Sequence, residues 1–336
     1  MVKETGQRTR SGFGIRTLVA GSHDSKMQPL HWEITMIREI GVVGLGRMGT
    51  ELAANLVSAG HQVIAYVRRP ERVSELSARG IRATLKLENL AGCDIVISML
   101  PDDDAVRDVM CGADGLAPRL QRGAIHLSMS TIGTGTAEFL AAEHAPRNQG
   151  YVAAPVFGNP AAAKAKKLFI VAAGADADIS RCQPLFDSLG QRTFVVGSDP
   201  AHANLIKLLG NMMTATTLEM LGETVAVLLK RNVDPKTFID ILTNTMFGGL
   251  AHKIYGDKIV KRDYAPGFVL PLVLKDVKLA LAEAEKANAP VPSVQVVQDR
   301  LIAGIARGYA GLDWTALGLI AAQEAGLQVE APAGRN

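Results

Sequence analysis

Residues 38–60 read REIGVVGLGRMGTELAANLVSAG, in which an apolar run, a glycine-rich turn and a helical stretch follow one another. The apolar run has the length of a buried strand, and the stretch after the turn predicts a helix that ends at Gly60. Two further apolar runs follow, QVIAYV at residues 62–67 and DIVISML at residues 94–100. Strands that alternate with helical segments in this way predict an α/β domain whose parallel sheet is covered on both faces.

The strand signals continue to about Gly197 and then stop. The remaining strand candidates are AIHLSM from Ala124 and LFIVAAG from Leu168. After Gly197 long amphipathic stretches take over, and these predict helices only. We therefore predict an α/β domain over residues 37–197, an all-α domain over residues 198–328 and a tail over residues 329–336.

The composition is that of a folded, soluble protein. Of the 336 residues, 48% are hydrophobic, and the formal net charge of +3 is too small to favour nucleic acid or a membrane surface as a partner. The three cysteines and the histidines lack disulfide or metal-ligand spacing, so we expect a reducing, cytoplasmic location and no metal. No apolar run reaches the roughly 18 residues of a membrane-spanning helix. Residues 1–36 lack periodicity, and we interpret them as a flexible leader.

The glycine turn has the spacing of a dinucleotide-binding fingerprint. Gly44 permits the tight turn, Gly46 lets the backbone approach a pyrophosphate, and Gly49 lets the helix pack on the strand. The start of the helix then faces the phosphates, where its free N–H groups and its dipole favour anions. Because the turn follows a strand and opens a helix, the context is the one that the motif requires. The predicted cofactor-binding segment is Gly44, Leu45, Gly46, Arg47, Met48 and Gly49.

The residues after the second strand favour NADP over NAD as the cofactor. An NAD-binding domain usually places an acidic residue about 20 residues after the first glycine, where it binds the ribose 2′-hydroxyl. Arg68 and Arg69 stand there instead, and arginine can pair with a 2′-phosphate. NAD stays possible because Glu71 is near enough to reach a ribose, and because these arginines, with Arg72, could be solvated surface charges.

Six short motifs occur in the order that is typical of one family: Gly44 to Gly49, Leu100-Pro101, Ser130-Thr131, Pro155-Val156-Phe157-Gly158, Lys207 to Asn211, and Lys275-Asp276. With them the chain resembles the β-hydroxyacid dehydrogenase superfamily over residues 37–326, close to the 3-hydroxyisobutyrate and tartronate-semialdehyde (2-hydroxy-3-oxopropionate) enzymes. The resemblance implies a Rossmann domain followed by a helical domain like the C-terminal domain of 6-phosphogluconate dehydrogenase. It also implies hydride transfer between NADP and a small β-hydroxy acid or its carbonyl form.

Lys207 and Asn211 are the candidate catalytic residues. A spacing of four residues on a helix directs both side chains to one face. A carbonyl that accepts a hydride develops negative charge on its oxygen, which an ammonium group can stabilise and protonate. On spacing alone, a solvated lysine and asparagine would be the commoner explanation. The resemblance implies instead that Lys207 is the general acid and base and that Asn211 orients it.

The resemblance implies further roles at the ends of strands and on a later helix. Leu100 and Pro101 resemble the turn against which the cofactor packs, and Ser130 and Thr131 resemble residues that line the substrate and the nicotinamide. Lys275 resembles the lysine that reaches back towards both. From the residues alone, the proline would simply end a strand, the hydroxyls would cap a loop and the lysine would be a solvated charge.

Phe157 departs from the family pattern. Relatives that hold small hydroxy acids commonly have Ser-Gly-Gly after Pro-Val, whereas this chain has Phe157-Gly158-Asn159-Pro160. Gly158 and Asn159 remain candidate substrate residues, but the aromatic ring should narrow that side of the pocket or make it more apolar. The substrate then need not be 3-hydroxyisobutyrate. In the other interpretation, Phe157 turns into the core.

Two other functions fit the same architecture. An imine reductase usually carries Asp or Tyr at the position of Lys207, and a non-catalytic NADP-binding regulator loses the acid, so the presence of both Lys207 and Asn211 argues against each. Besides a small-molecule substrate we expect a second copy of the chain as partner, in a homodimer or homotetramer. The long helices carry more apolar surface than one sheet domain can cover.

Overall fold

A six-stranded parallel sheet lies at the centre of the amino-terminal half. The computed structural model describes residues 39–330, so the predicted leader over residues 1–36 and positions 331–336 of the predicted tail lie outside the described residues. The strands are β1 (Ile40–Val43), β2 (Val63–Tyr66), β3 (Arg82–Thr84), β4 (Ile95–Ser98), β5 (Ile125–Ser128) and β6 (Gly150–Ala153). Their spatial order is β3-β2-β1-β4-β5-β6. The strand order reverses between β1 and β4, which is where this kind of sheet binds its ligands.

Helices cover both faces of this sheet, as the alternation of strands and helices predicts. They are α1 (Arg47–Ser58), α2 (Glu71–Ser77), α3 (Asp103–Cys111), α4 (Thr134–His144), α5 (Pro160–Lys164) and α6 (Asp176–Leu189). Alternate residues of β1 enter opposite cores: Val42 packs with Leu52 of α1, and Val43 packs in the core that holds Leu140 of α4. The strands therefore read as continuous apolar runs because both of their faces are buried.

A second, three-stranded sheet stands beside the first. It contains β7 (Val156–Phe157), β8 (Leu168–Ala172) and β9 (Gly190–Val195); β7 is antiparallel to β8, and β8 is parallel to β9. The run LFIVAAG thus forms a strand, but in this smaller sheet and not in the main one. An apolar run predicts burial and does not identify the neighbouring strand, so its sheet could not be read from the sequence.

Over residues 200–330 the structure consists of helices and their connections, with one isolated β-bridge between Val269 and Asp313. The α-helices of this helical half are α7 (Pro200–Lys230), α8 (Pro235–Thr243), α9 (Leu250–Val260), α10 (Leu270–Lys286), α11 (Pro292–Ala306) and α12 (Leu317–Glu324). Asp199 caps α7 and Asp234 caps α8 through side-chain hydrogen bonds, and each is followed by a proline in the first turn. This start signal is visible in the sequence.

The 31-residue helix α7 joins the two halves. Ala203 near its start is buried in a core of the main sheet, whereas Ala215 and Leu218 are buried in the core of the helical half. By length and composition alone α7 could cross a membrane. One such helix is weak evidence for a membrane-spanning segment, because the core helix of a soluble protein passes the same test. Its contacts with α4, α9, α10 and α12 are those of a central core helix. Lys207 and Asn211 lie between its two buried segments.

Candidate active site

The glycine turn has the geometry that its spacing predicts. Gly44 has φ +90°, and a Cβ atom there would lie 2.2 Å from the carbonyl oxygen of Met99. A Cβ atom on Gly49 would lie 2.0 Å from the carbonyl oxygen of Gly44, so this glycine lets α1 pack against the turn. A Cβ atom on Gly46 would meet no atom within 4 Å. The backbone at Gly46 therefore faces open space.

The start of α1 fits an anionic group of a dinucleotide. Gly46 is the N-cap residue of this helix, and no side chain caps the free N–H groups. Uncapped amides beside open space are a binding site for phosphate. The turn itself is braced, because Thr50 Oγ1 and Arg72 Nη2 both donate to the carbonyl oxygen of Leu45, at 3.0 and 3.1 Å. From the sequence, Arg72 was considered only as a solvated charge, and this contact was missed.

The three predicted cofactor arginines lie around this turn. Arg47 is exposed and donates to the carbonyl oxygen of Pro266, in the segment before α10. Arg68 and Arg69 are exposed and directly follow β2, at the sheet edge to which the glycine turn belongs. The guanidinium of Arg69 lies 3.9 Å from the carboxylate of Glu71. Both arginine side chains are thus open to solvent at the carboxyl end of β2.

Ser130 ties together the ends of two neighbouring strands. Its Oγ accepts from the backbone N–H of Leu100 at 2.8 Å and donates to the carbonyl oxygen of Ser98 at 3.2 Å. Ser130 is buried, whereas Thr131 is half-buried and Pro101 is exposed. The hydroxyl of Ser130 therefore holds the Leu100-Pro101 turn in place, and the direct substrate contact that the resemblance implied stays a prediction.

A chain of polar contacts links Lys207 to the α/β half. Lys207 Nζ donates to Asn211 Oδ1 at 2.8 Å, and Asn211 Nδ2 donates to Asp276 Oδ2 at 2.6 Å. The other carboxylate oxygen of Asp276 lies 2.8 Å from Lys275 Nζ, which also donates to the carbonyl oxygen of Thr131. The orientation of the Asn211 amide is fixed, because its oxygen meets a donor and its nitrogen meets a carboxylate.

Burial lowers the pKa of Lys207 towards the physiological range. Lys207 is 6% exposed and Asp276 is 1% exposed. Burial lowers the pKa of Lys207 to about 8; the carboxylate of Asp276 opposes this shift and the charge of Lys275 adds to it. A group with a pKa near the working pH can both give and take a proton. Because the side chain of Lys207 is buried, the interpretation of this residue as a solvated surface lysine is wrong.

Phe157 lies against Lys207 and is also partly buried against a core of the main sheet, so features of both interpretations are present. Lys207 Nζ is 4.2 Å from the centre of the Phe157 ring. The ring also contacts Gly210, because a Cβ atom there would lie 2.4 Å from the ring Cζ. Asn159 is exposed and caps α5, since its Oδ1 accepts from the N–H of Ala162 at 2.9 Å. Gly158 is exposed with φ +141°.

Asp276 had no predicted role, although this residue positions both Asn211 and Lys275. The sequence contained a signal for this residue in the Lys275-Asp276 motif, but only the lysine of that motif was given a role. The histidines received no metal role, and within residues 39–330 no group of three or more His, Cys, Asp or Glu side chains is placed to hold a metal ion.

Comparisons with known proteins identify the family to which the chain belongs. Residues 39–197 match the family model of the NAD-binding domain of 6-phosphogluconate dehydrogenase, and residues 201–327 match that of the NAD-binding region of NADP-dependent 3-hydroxyisobutyrate dehydrogenase. The chain is 38% identical over 282 residues to the uncharacterized oxidoreductase YfjR of Bacillus subtilis strain 168, covering 83% of this chain and 98% of that protein. It is 30% identical over 262 residues to a 3-hydroxyisobutyrate dehydrogenase of Pseudomonas aeruginosa, covering 76% of this chain and 88% of that protein.

A solved structure gives the same result. The 3-hydroxyisobutyrate dehydrogenase of Mycobacterium tuberculosis, solved with L-serine, superposes with a TM-score of 0.76 at 26% identity, covering 84% of this chain and 99% of that one. The Rossmann sheet and the helical half are thus shared with proteins that are named 3-hydroxyisobutyrate dehydrogenase. The chain therefore belongs to the β-hydroxyacid dehydrogenase superfamily and is an NAD(P)-binding oxidoreductase.

Proposed function

We propose that the protein is an NADP-dependent enzyme that interconverts a small β-hydroxy acid and its semialdehyde or ketone, with Lys207 as general acid and base. The observation that carries the proposal is the buried ammonium group of Lys207, whose pKa is about 8 and whose direction is set by Asn211. A buried lysine is unfavourable for folding. A proton-transfer role explains why it stands there.

The residues of the chain supply proton transfer and positioning. When bound, the nicotinamide cofactor supplies the hydride in reduction and accepts it in oxidation. Lys207 Nζ holds the substrate oxygen, gives it a proton in reduction and takes the proton back in oxidation. Asn211 keeps one N–H of Lys207 occupied, so that the other two can face away from it. Asp276 fixes Asn211 and thereby the direction of the lysine.

The cofactor would be held by the α/β half. The N–H groups at the start of α1 would bind the pyrophosphate, and Leu100, Pro101 and Thr131 would line the rest of the dinucleotide. Arg68 and Arg69 would pair with a 2′-phosphate, which favours NADP, while NAD stays possible. Lys275 would lie between cofactor and substrate, since it contacts both Thr131 and Asp276.

We further propose a cytoplasmic homodimer or homotetramer. Cys93, Cys111 and Cys182 are all free thiols, which suits a reducing compartment. Four exposed apolar side chains recur at seven-residue intervals along α7, a pattern that a second helix can cover: Ile206, Met213, Met220 and Val227. Size-exclusion chromatography that gives only monomer at micromolar concentration would contradict this assembly.

Substitution of Lys207 by Met tests the proposed chemistry. NADPH consumption would be followed against C2 to C4 semialdehydes, glyoxylate and cyclic imines, and NADPH affinity by fluorescence titration. We expect kcat to fall by about 10²- to 10⁴-fold with unchanged NADPH affinity. Lys230→Met, at the far end of the same helix, is the control. Turnover of imines alone would favour the imine reductase, and no turnover by the unaltered protein would favour the regulator.

A further inference from the structure

The Phe157 ring occupies space that only a glycine on α7 leaves free. Strand β7 places Phe157 opposite Phe169 of β8, with its ring directed at the start of α7. On that helix, Gly210 lies between Lys207 and Asn211. A Cβ atom at position 210 would stand 2.4 Å from Cζ and 2.5 Å from Cε1 of the ring. Phe157 and Gly210 together therefore form one wall of the site, which we call the aromatic wall.

The aromatic wall limits the number of polar groups that Lys207 can meet. An ammonium group has three N–H donors. One donates to Asn211 Oδ1, and the ring face at 4.2 Å attracts the positive charge on a second side. One donor direction is then left for the substrate. Lys207 can accordingly hold the reacting oxygen, and a second oxygen next to it would meet the ring.

The side-chain oxygens of the predicted substrate residues Ser130 and Asn159 already have hydrogen-bond partners within the protein. The hydroxyl of Ser130 is used by the backbone of Ser98 and Leu100. The Oδ1 of Asn159 is used to cap α5. A hydroxyl group placed against an aromatic face loses its hydrogen bonds to water without gaining new ones, which is unfavourable, whereas an alkyl group there is favourable.

We propose that Phe157, seated on Gly210, is a specificity-determining residue that selects substrates with an alkyl group, and not a hydroxyl group, on the carbon beside the reacting carbonyl. This inference deepens the proposed function and rests on it, because it takes Lys207 as the residue that meets the carbonyl oxygen.

Two probes that differ in one group test the proposal. The compounds 2-methyl-3-oxopropanoate and 2-hydroxy-3-oxopropanoate share chain length and carboxylate and differ only in methyl against hydroxyl. We expect kcat/KM with NADPH to favour the methyl compound by about 10- to 100-fold. Phe157→Ser should reduce this ratio to near one, and Phe157→Leu, which keeps the wall apolar, should preserve it.

Gly210→Ala is a second and independent variant. This variant keeps phenylalanine at position 157, but the added methyl group pushes the ring away from Lys207. The preference in kcat/KM for the methyl compound should therefore fall as well. Gly135→Ala in α4 is the matched control, because a Cβ atom there would meet nothing within 4 Å. The melting temperature of each variant shows whether a change in preference comes from the altered wall or from unfolding of the protein.

A readout without turnover covers the case in which neither aldehyde is reduced. Dissociation constants of 3-hydroxy-2-methylpropanoate and 2,3-dihydroxypropanoate, titrated in the presence of NADPH, which cannot accept a hydride from them, should show the same preference and the same loss in Phe157→Ser. The proposed selectivity of the aromatic wall would be overturned if the two probes had equal dissociation constants, if the hydroxyl compound bound more tightly, or if neither bound. Retained turnover in Lys207→Met would instead overturn the proposed function, so the two failures are distinguishable.

Discussion

Asp276 can be tested as the residue that keeps Lys207 protonated. Asp276→Asn removes one buried negative charge but retains an oxygen that can accept the hydrogen bond from Asn211 Nδ2. In the unaltered protein, burial has the largest effect on the pKa of Lys207 and lowers it to about 8, while the Asp276 carboxylate raises it. We therefore expect the variant to lower the pKa of Lys207 further.

The size of the shift follows from the contacts that separate the two charges. Lys207 Nζ lies 2.8 Å from Asn211 Oδ1, and Asn211 Nδ2 lies 2.6 Å from Asp276 Oδ2. With the amide between them the charges are about 7 Å apart, and at an effective dielectric constant of about 20 they attract by about 2 kcal/mol. One pKa unit corresponds to about 1.4 kcal/mol, so we expect a decrease of about 1 to 2 units. Lys275, no longer neutralised, acts in the same direction.

The assay is the pH dependence of kcat/KM for reduction of the best carbonyl substrate. Reduction needs the ammonium form, so activity falls as pH rises through the pKa of Lys207. The fall should lie near pH 8 in the unaltered protein. In Asp276→Asn it should lie at about pH 6 to 7, with activity recovered at lower pH. Asp299→Asn, a position on α11, is the control. The electrostatic role of Asp276 would be refuted if the variant lost the same fraction of activity at every pH, or if its activity fell at the same pH as that of the unaltered protein.

Three further predictions concern the cofactor site and stability. Gly49→Ala should weaken NADPH binding at least about tenfold in a fluorescence titration, because the added Cβ atom would lie 2.0 Å from a carbonyl oxygen of the turn; unchanged affinity would contradict the packing role of this glycine. The double variant Arg68→Ala, Arg69→Ala should raise the Kd of NADPH by about 10-fold or more and leave that of NADH nearly unchanged; equal loss for both cofactors would count against 2′-phosphate recognition. Burial raises the pKa of Glu219 to about 7, and the charge of Arg300 only partly opposes this shift. Because this folded-state pKa lies above the unfolded value of 4.5, the associated stability is complete below about pH 4.5 and is lost as pH rises through 7. Urea unfolding should therefore show that Glu219→Gln removes about 1 to 3 kcal/mol of pH dependence between those limits, and a profile that matches the unaltered protein would exclude this source.

The parts of the fold with local signals were predictable. The strand-turn-helix unit at Gly44 to Gly49 and the Asp-Pro start of α8 each depend on a few consecutive residues, because turns and helix caps are made by neighbours in the chain. The second sheet was not predictable, since β7 has two residues and β9 is largely exposed. Strand β7 lacks the length, and β9 lacks the continuous apolar run, that identifies a buried strand.

The candidate site was predictable only as a set of residues. The spacing of Lys207 and Asn211 and the order of the motifs pointed to helix α7 as the carrier of the candidate residues. The bond from Asn211 to Asp276 joins residues 65 positions apart, and the contact of Phe157 with Gly210 joins a strand to a helix. Contacts of this kind depend on how elements pack, so no local pattern contains them. The low pKa of Lys207 is in turn a consequence of that packing.

Helix α7 is anchored at both ends of the segment that carries Lys207 and Asn211, by Ala203 in one core and Ala215 in the other. Each residue of an α-helix advances the direction of the side chains by about 100°. One extra residue between the anchors would therefore swing the lysine a quarter-turn or more around the helix axis unless a whole core were repacked. The directions of the Lys207 and Asn211 side chains are therefore set by the number of residues between the two anchors of α7.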